Sequence, residues 1–270
     1  MSSEPCVHGM KFNSRRSPVY GTHGMVASSQ PLATMAGIEI LKKGGNAADA
    51  AVAVASSLNM TEPCSTGIGG DAFCLFFDAK TKQVRGLNAS GRAPAALNLE
   101  YLAEHGIKDR LPPTSPHTVT VPGAAAGWID TIETFGTMTM PEVLAPAIRL
   151  GEEGFPVSPI TARAWDRGIP KLKTGPHYEE MLLNGKAPRA GEIMKNKNLS
   201  RTFREVAEHG KAGFYEGRIA EEIVKVLEPM GGVMTVDDLK NHYSTFPEPI
   251  TTNYKGLDVY EIPPNGQGIT

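Results

Sequence analysis

The chain has 270 residues, 27 Lys and Arg against 29 Asp and Glu, a formal charge of −2 and 40% hydrophobic residues. That length admits one large domain or two small ones, and the near-neutral balance excludes the basic surplus of a nucleic-acid or anionic-membrane binder. Three cysteines, Cys6, Cys64 and Cys74, form no C-x-x-C pair and no zinc spacing, and a sparse, odd set suits a reducing compartment.

Residues 1–20 are polar and contain proline, and they are expected to form an irregular arm ahead of one domain over 21–270. They hold no apolar h-region, so the expected location is cytoplasmic, and no apolar run reaches the ~18 residues of a membrane span. The sequons at Asn59, Asn88 and Asn198 are read as chance matches.

In chain order, "GMVASS" (24–29) predicts a short strand, and "QPLATMAGIEILKKGG" (30–45) a helix with Pro31 near its start and glycines at its end. Asn46 is a good N-cap for a second helix, with Asp49 in its electropositive first turn. Its body, "AADAAVAVASSLNM", is nearly all small, which suits a helix packed between other elements. "AFCLFFD" (72–78) is continuously apolar and bounded by turn residues, so it predicts a strand covered on both faces. "VRGLNAS" (84–90) is its return partner.

"TVTV" (118–121) alternates like a strand, breaks at Pro122-Gly123 and passes into a helix to 136; a further helix runs over 140–154. Residues 155–200 are mixed, rich in proline and charge, and helical patterns resume at 201–210 and 217–230. Thr235, with Asp238 three positions on, marks a helix start. "ITTNYKGLDVYEIP" (250–263) predicts a hairpin, and the chain stops two residues after the turn "PPNGQG", so a longer protein is expected to continue from it.

The loop "TGIGGDA" (66–72) carries G-x-G-x-x-A. A dinucleotide fingerprint needs a strand before its first glycine and a helix after its last, so that the helix N-terminus faces a pyrophosphate. Here a helix precedes Gly67 and a strand follows Ala72, which turns the dipole the wrong way. A nucleotide-binding oxidoreductase is therefore disfavoured. The alternatives are a tight turn without a ligand, or a loop whose glycines adopt positive φ and leave backbone N–H groups free for a substrate.

"GGNAADAAVAVASSLNMTEPCSTGIGGDAFCLFFD" (44–78), "VPGAAAGW" (121–128), "PAIRLGEEGFPVS" (146–158), "GFYEG" (213–217), "GGVMTVDDLKNHY" (231–243) and "EIPPNGQG" (261–268) occur in one register. Together they resemble the gamma-glutamyltransferase family of self-cleaving N-terminal-nucleophile hydrolases. The resemblance covers nearly all of 20–268 and is to the large-subunit portion. It implies an α/β fold, an incomplete four-layer αββα sandwich lacking the small catalytic subunit. It further implies a precursor that cleaves itself, whose new N-terminal threonine is the nucleophile and uses its own α-amino group as base.

On that resemblance this chain holds no catalytic residue: the threonine lies downstream, and "TTN" (251–253) precedes the P-P-x-x-G-x-G turn that the nucleophile follows. The implied partners are a small-molecule gamma-glutamyl or related amide substrate and the protein's own small subunit, with no cofactor and no metal. The family's large subunit grips the substrate α-carboxylate with the arginine of R-E-x-A-P. Here the segment reads Ser90-Gly91-Arg92-Ala93-Pro94, so Ser90 stands in the arginine's place and Arg92 two positions on. A two-residue shift on a strand returns to the same face, so Ser90 and Arg92 are the candidate substrate-binding residues, with Arg92 as a solvated or structural ion-pair residue the alternative. The departure resembles the acylase-like branch of the superfamily. An inert, degenerate half that acts only as a binding partner is a further alternative.

Cys64, beside the glycine loop, reads as a buried inert thiol and Cys74 as core. Trp128 and Trp165 read as packing residues, and the pairs Glu152-Glu153, Glu179-Glu180 and Glu221-Glu222 as solvated.

Overall fold

The computed structural model describes residues 17–268. Residues 1–16, with Cys6 and most of the expected arm, lie outside the described residues, as does Thr270. In chain order the elements are α1 (Pro31–Lys42), α2 (Ala47–Thr61), β1 (Ala72–Asp78), β2 (Gln83–Ala89), α3 (Leu99–Glu104), α4 (Ala124–Phe135) and α5 (Met140–Glu153). There follow β3 (Phe155–Pro156), α6 (Pro159–Leu172), β4 (Ile193–Met194), α7 (Lys197–Tyr215), α8 (Gly217–Leu227), α9 (Val236–Lys240), β5 (Ile250–Tyr254) and β6 (Leu257–Glu261). The strands pair antiparallel as β1–β2, β3–β4 and β5–β6.

The first two helices form where their end signals stand. Pro31 occupies the first turn of α1, and Gly44, at φ +96°, terminates it. Gly45 N–H then bonds the Ile40 carbonyl and Gly44 N–H the Leu41 carbonyl, the paired closure of a glycine-terminated helix. In α2 the Asn46 side chain accepts from Ala48 and Asp49 N–H, while the Asp49 carboxylate accepts from Asn46 N–H at 2.8 Å. Asp49 is fully buried and also accepts from the backbone of Thr137 and Met138 and from the Thr137 hydroxyl. The cap of α2 therefore doubles as the clamp on the segment between α4 and α5. A buried charge is tolerated here because N–H and O–H donors surround it.

The small residues of α2 admit α1, α4 and α5 around it, and α7 packs on α5 and α4. The core holds Met60, Trp128, Ile129, Val143, Leu144, Phe203 and Val206, with Trp128 edge-on to Phe203 at 5.6 Å. The β1–β2 sheet lies on this helical layer through Leu87, Ala89 and Phe76, and Phe76 stacks on Phe135 at 4.8 Å.

Several expectations give way. Residues 24–29 form no strand, and 118–121 form a helical turn and extended backbone rather than a strand. Strand β1 is covered on one face only: Phe73, Leu75 and Phe77 are 41%, 39% and 56% exposed, while Cys74 and Phe76 alternate inward. Cys74 is accordingly half-buried rather than core. Helix α7 starts before 201 and runs past 210, because Gly210 at φ 58° lets two helical pieces join across a kink. Residues 155–200 conceal α6, which Ser158 caps through Thr161 N–H at 3.2 Å, with Pro159 in its first turn.

No helix among the described residues is long and apolar enough to cross a membrane.

Candidate substrate-anchoring site

The glycine loop has helix α2 entering and strand β1 leaving, the polarity opposite to a dinucleotide turn. Its last glycine carbonyl, Gly70, accepts from Gly123 N–H at 3.0 Å and Ala124 N–H at 2.8 Å. The N-terminus of α4 has no side-chain cap, and the loop supplies the missing acceptor. Gly67, Gly69 and Gly70 do not use the positive φ that glycine permits. A Cβ on Gly67 or Gly69 would meet nothing within 4 Å, so no atom of the described residues requires glycine at those two positions. Among the described residues, Gly67, Ile68 and Gly69 donate no backbone hydrogen bond; Gly67 and Gly69 are exposed, and Ile68 is half-buried against the core.

Close approach does govern two other glycines. A Cβ on Gly91 would lie 2.0 Å from the Val121 carbonyl oxygen, and one on Gly123 2.0 Å from the Ala89 carbonyl oxygen. These glycines let the chain leaving β2 press against the entry to α4, with Val121 N–H bonded to the Arg92 carbonyl at 2.9 Å. Asp71, at the end of the loop, accepts from Gly91 N–H at 2.8 Å and from the Ser90 hydroxyl at 3.3 Å. Asn88 accepts from Ser90 N–H at 2.9 Å and donates to Asn265 at 2.9 Å, and the Asn265 amide donates to the Ser90 hydroxyl. The 261–268 turn is thereby tied to the end of β2.

Sequence reasoning placed Ser90 and Arg92 in one site. The structure sets them at one end of the sheet with different tasks. Ser90 is consumed by hydrogen bonds within the chain, to Asp71 and Asn265. Arg92 is exposed, but its guanidinium lies over the Tyr243 ring, 3.9 Å from the centroid, and Nη1 donates to the Tyr243 carbonyl at 2.9 Å. No ion pair forms at Arg92 among the described residues, and its exposure is what the solvated alternative expects.

Three participants were not singled out as site residues by the sequence, although each lies in a motif of the family resemblance: Tyr243, His242 and Asn265, up to 177 residues away in sequence. His242 is 8% exposed and stacks on Tyr215 at 5.3 Å. Tyr215 donates to the Pro122 carbonyl at 2.7 Å and accepts from Ala126 N–H at 2.9 Å; burial pushes its hydroxyl well above the usual phenol range. Burial first, then the cations Arg92 and Lys211, hold the His242 imidazole below its usual value, with Asp130 and Asp71 opposing.

Cys64 is exposed, against the expectation of a buried thiol, because the loop that carries it lies on the surface. Trp128 and Trp165 are buried as packing residues, and Trp165 Nε1 donates to the Met181 carbonyl. No group of three or more His, Cys, Asp or Glu among the described residues could hold a metal.

A helical layer under one face of a sheet, with a tethered, exposed arginine at the sheet's end, is a layered α/β arrangement with a cation at its edge. The chain belongs to the gamma-glutamyltranspeptidase family, whose model matches residues 33–270. It is 39% identical to the glutathione hydrolase-like YwrD proenzyme of Bacillus subtilis over 93% of its own length and 48% of the relative's. Among solved structures it matches the cephalosporin acylase of Bacillus halodurans at 41% identity and TM-score 0.91, covering all of this chain and 51% of that one. It also matches the gamma-glutamyltranspeptidase of Helicobacter pylori at 27% identity and TM-score 0.85, covering 93% and 73%. The chain spans about half the length of the curated relatives it matches.

Proposed function

We propose that the chain is the large-subunit part of a self-cleaving N-terminal-threonine hydrolase or transferase, which acts on the gamma-glutamyl group of glutathione or on a related amide. The observation that carries this reading is the uncovered sheet face. Phe73, Leu75 and Phe77 point away from the helical layer beside the Arg92 cluster, as expected where a second sheet layer docks. In the complete protein the threonine hydroxyl, its proton taken by its own α-amino group, attacks the amide carbonyl. The amine leaves, and water or an acceptor amine releases the acyl group from the threonyl ester. Arg92 supplies a planar cation for a substrate carboxylate.

A second reading, an acylase-like amide hydrolase, is favoured by Ser90 at the position where the family arginine is expected. It is further supported by similarity to an acylase as strong as that to the glutathione hydrolase-like relative.

A denaturing gel of the full-length product tests the reading: two chains are expected where one is translated. A single uncleaved chain that releases no amine from glutathione or an acyl amide overturns it. In that protein Arg92→Ala is expected to raise KM for a carboxylate-bearing donor about tenfold or more, the loss of a charge-assisted contact of ~1.5–3 kcal/mol, with self-cleavage intact. An unchanged KM removes Arg92 from the site.

A further inference from the structure

We propose that Tyr243 is a positioning residue for Arg92, holding the guanidinium so that one edge of it faces outward for a carboxylate. This rests on Arg92 being the carboxylate anchor, as proposed above. An exposed arginine in the loop that follows a strand samples many rotamers, and ordering it costs affinity when it binds. Here two contacts from one residue hold it beforehand: the Tyr243 ring lies 3.9 Å under the guanidinium carbon, and the Tyr243 carbonyl takes Nη1. Among the described residues Nε and Nη2 make no hydrogen bond, and those two groups form the edge that grips a carboxylate with two parallel bonds. Tyr243 therefore occupies the part of the guanidinium that such a grip does not use.

Tyr243 is itself 58% exposed, so burial does not fix its ring. Its neighbours fix its backbone. On one side His242 is buried against Tyr215, whose hydroxyl bridges Pro122 and Ala126 at the start of α4. Both His242 ring nitrogens are buried without a partner, so the imidazole serves here as a flat packing surface. On the other side Thr245 and Asn88 exchange two backbone hydrogen bonds at 2.8 Å. The segment 242–245 is thus held at one end to the start of α4 and at the other to the end of β2 just before Ser90, with Tyr243 between the two. The Arg92 backbone is held to the same frame through Val121.

The test uses the full-length protein with a carboxylate-bearing amide donor and compares Tyr243→Ala, Tyr243→Phe and Arg92→Ala. Tyr243→Ala is expected to raise KM about tenfold, the scale of a lost cation–π contact with its preorganisation, leaving kcat and self-cleavage unchanged. Tyr243→Phe, which keeps ring and carbonyl, is expected to restore KM. If Tyr243→Ala does not fold, Tyr243→Leu replaces it, keeping apolar bulk without the ring face; it is expected to raise KM in the same way. If Arg92→Ala leaves KM unchanged, the anchor reading fails and this inference with it. If Arg92→Ala raises KM while Tyr243→Ala or Tyr243→Leu does not, the anchor stands and the positioning role is overturned. A Tyr243 variant that raises KM but also lowers kcat and self-cleavage, unrescued by phenylalanine, also overturns it.

Discussion

The two faces of β1 use the same kinds of residue and meet opposite surroundings. Cys74 and Phe76 turn toward the helices, where Phe76 stacks on Phe135; Phe73, Leu75 and Phe77 turn away and stay exposed. The hairpin lacks that contrast, because both of its faces are bare. Its register places Ile250, Tyr254, Leu257 and Val259 on one side of the ribbon and Thr251, Asn253, Asp258 and Tyr260 on the other, and every one of these residues is exposed. An apolar face carries no stabilisation until something covers it. The difference teaches that the inner face of β1 is packed within these residues, whereas its outer face is bare, as the proposed docking of a second layer requires.

The comparison breaks most visibly in the helical layer. Phe203→Ala removes a fully buried ring that packs on Trp128, and it is expected to cost ~3–5 kcal/mol in urea denaturation of the complete protein. A cost near zero would mean the core is not built around α7. On the sheet side, Phe77→Ser in this chain alone is expected to stay within ~0.5 kcal/mol, as for an exposed position. In the complete protein the same change is expected to cost ~2 kcal/mol, the burial of one large apolar side chain. Equal small effects in both settings would show that nothing covers the face. For the same reason the chain expressed alone is expected to self-associate in sedimentation, and a monomeric, cooperatively melting species would count against the covering layer.

The smallest effect concerns pH. Burial, reinforced by Arg92 and Lys211, keeps His242 neutral in the folded state below the pH at which an unfolded imidazole, near pKa 6.5, gains its proton. The unfolded chain therefore binds more protons as pH falls through that value. The stability that His242 contributes is present above pH ~6.5 and is lost on acidification, at no more than ~1.4 kcal/mol per pH unit. His242→Phe preserves a ring against Tyr215 and removes the titration, so its stability relative to wild type should rise from pH 7 to pH 5. Parallel curves would place the proton elsewhere.

Much of the frame was legible in the chain. The Asn46–Asp49 and Thr235–Asp238 caps form as reciprocal pairs. The hairpin turns at Lys255-Gly256, both at positive φ, as a tight two-residue turn requires. Cap chemistry is local, so a window of four residues contains it. The helix over 159–172 was hidden because Pro159 and Pro170 read as breakers, whereas the first lies in the opening turn and costs no hydrogen bond there.

The site divides along the same line. The residue types and their order already assigned the helix–loop–strand polarity at Gly67–Ala72, the pairing of β1 with β2, and the presence of Ser90 and Arg92 at one strand end. Each of these depends on neighbours a few positions away. Only the tertiary structure decided that Ser90 is spent on Asp71 and Asn265, that Arg92 rests on Tyr243, 151 residues distant, and that one face of β1 stays bare. Contacts across such separations depend on how whole layers stack, and no local propensity encodes that.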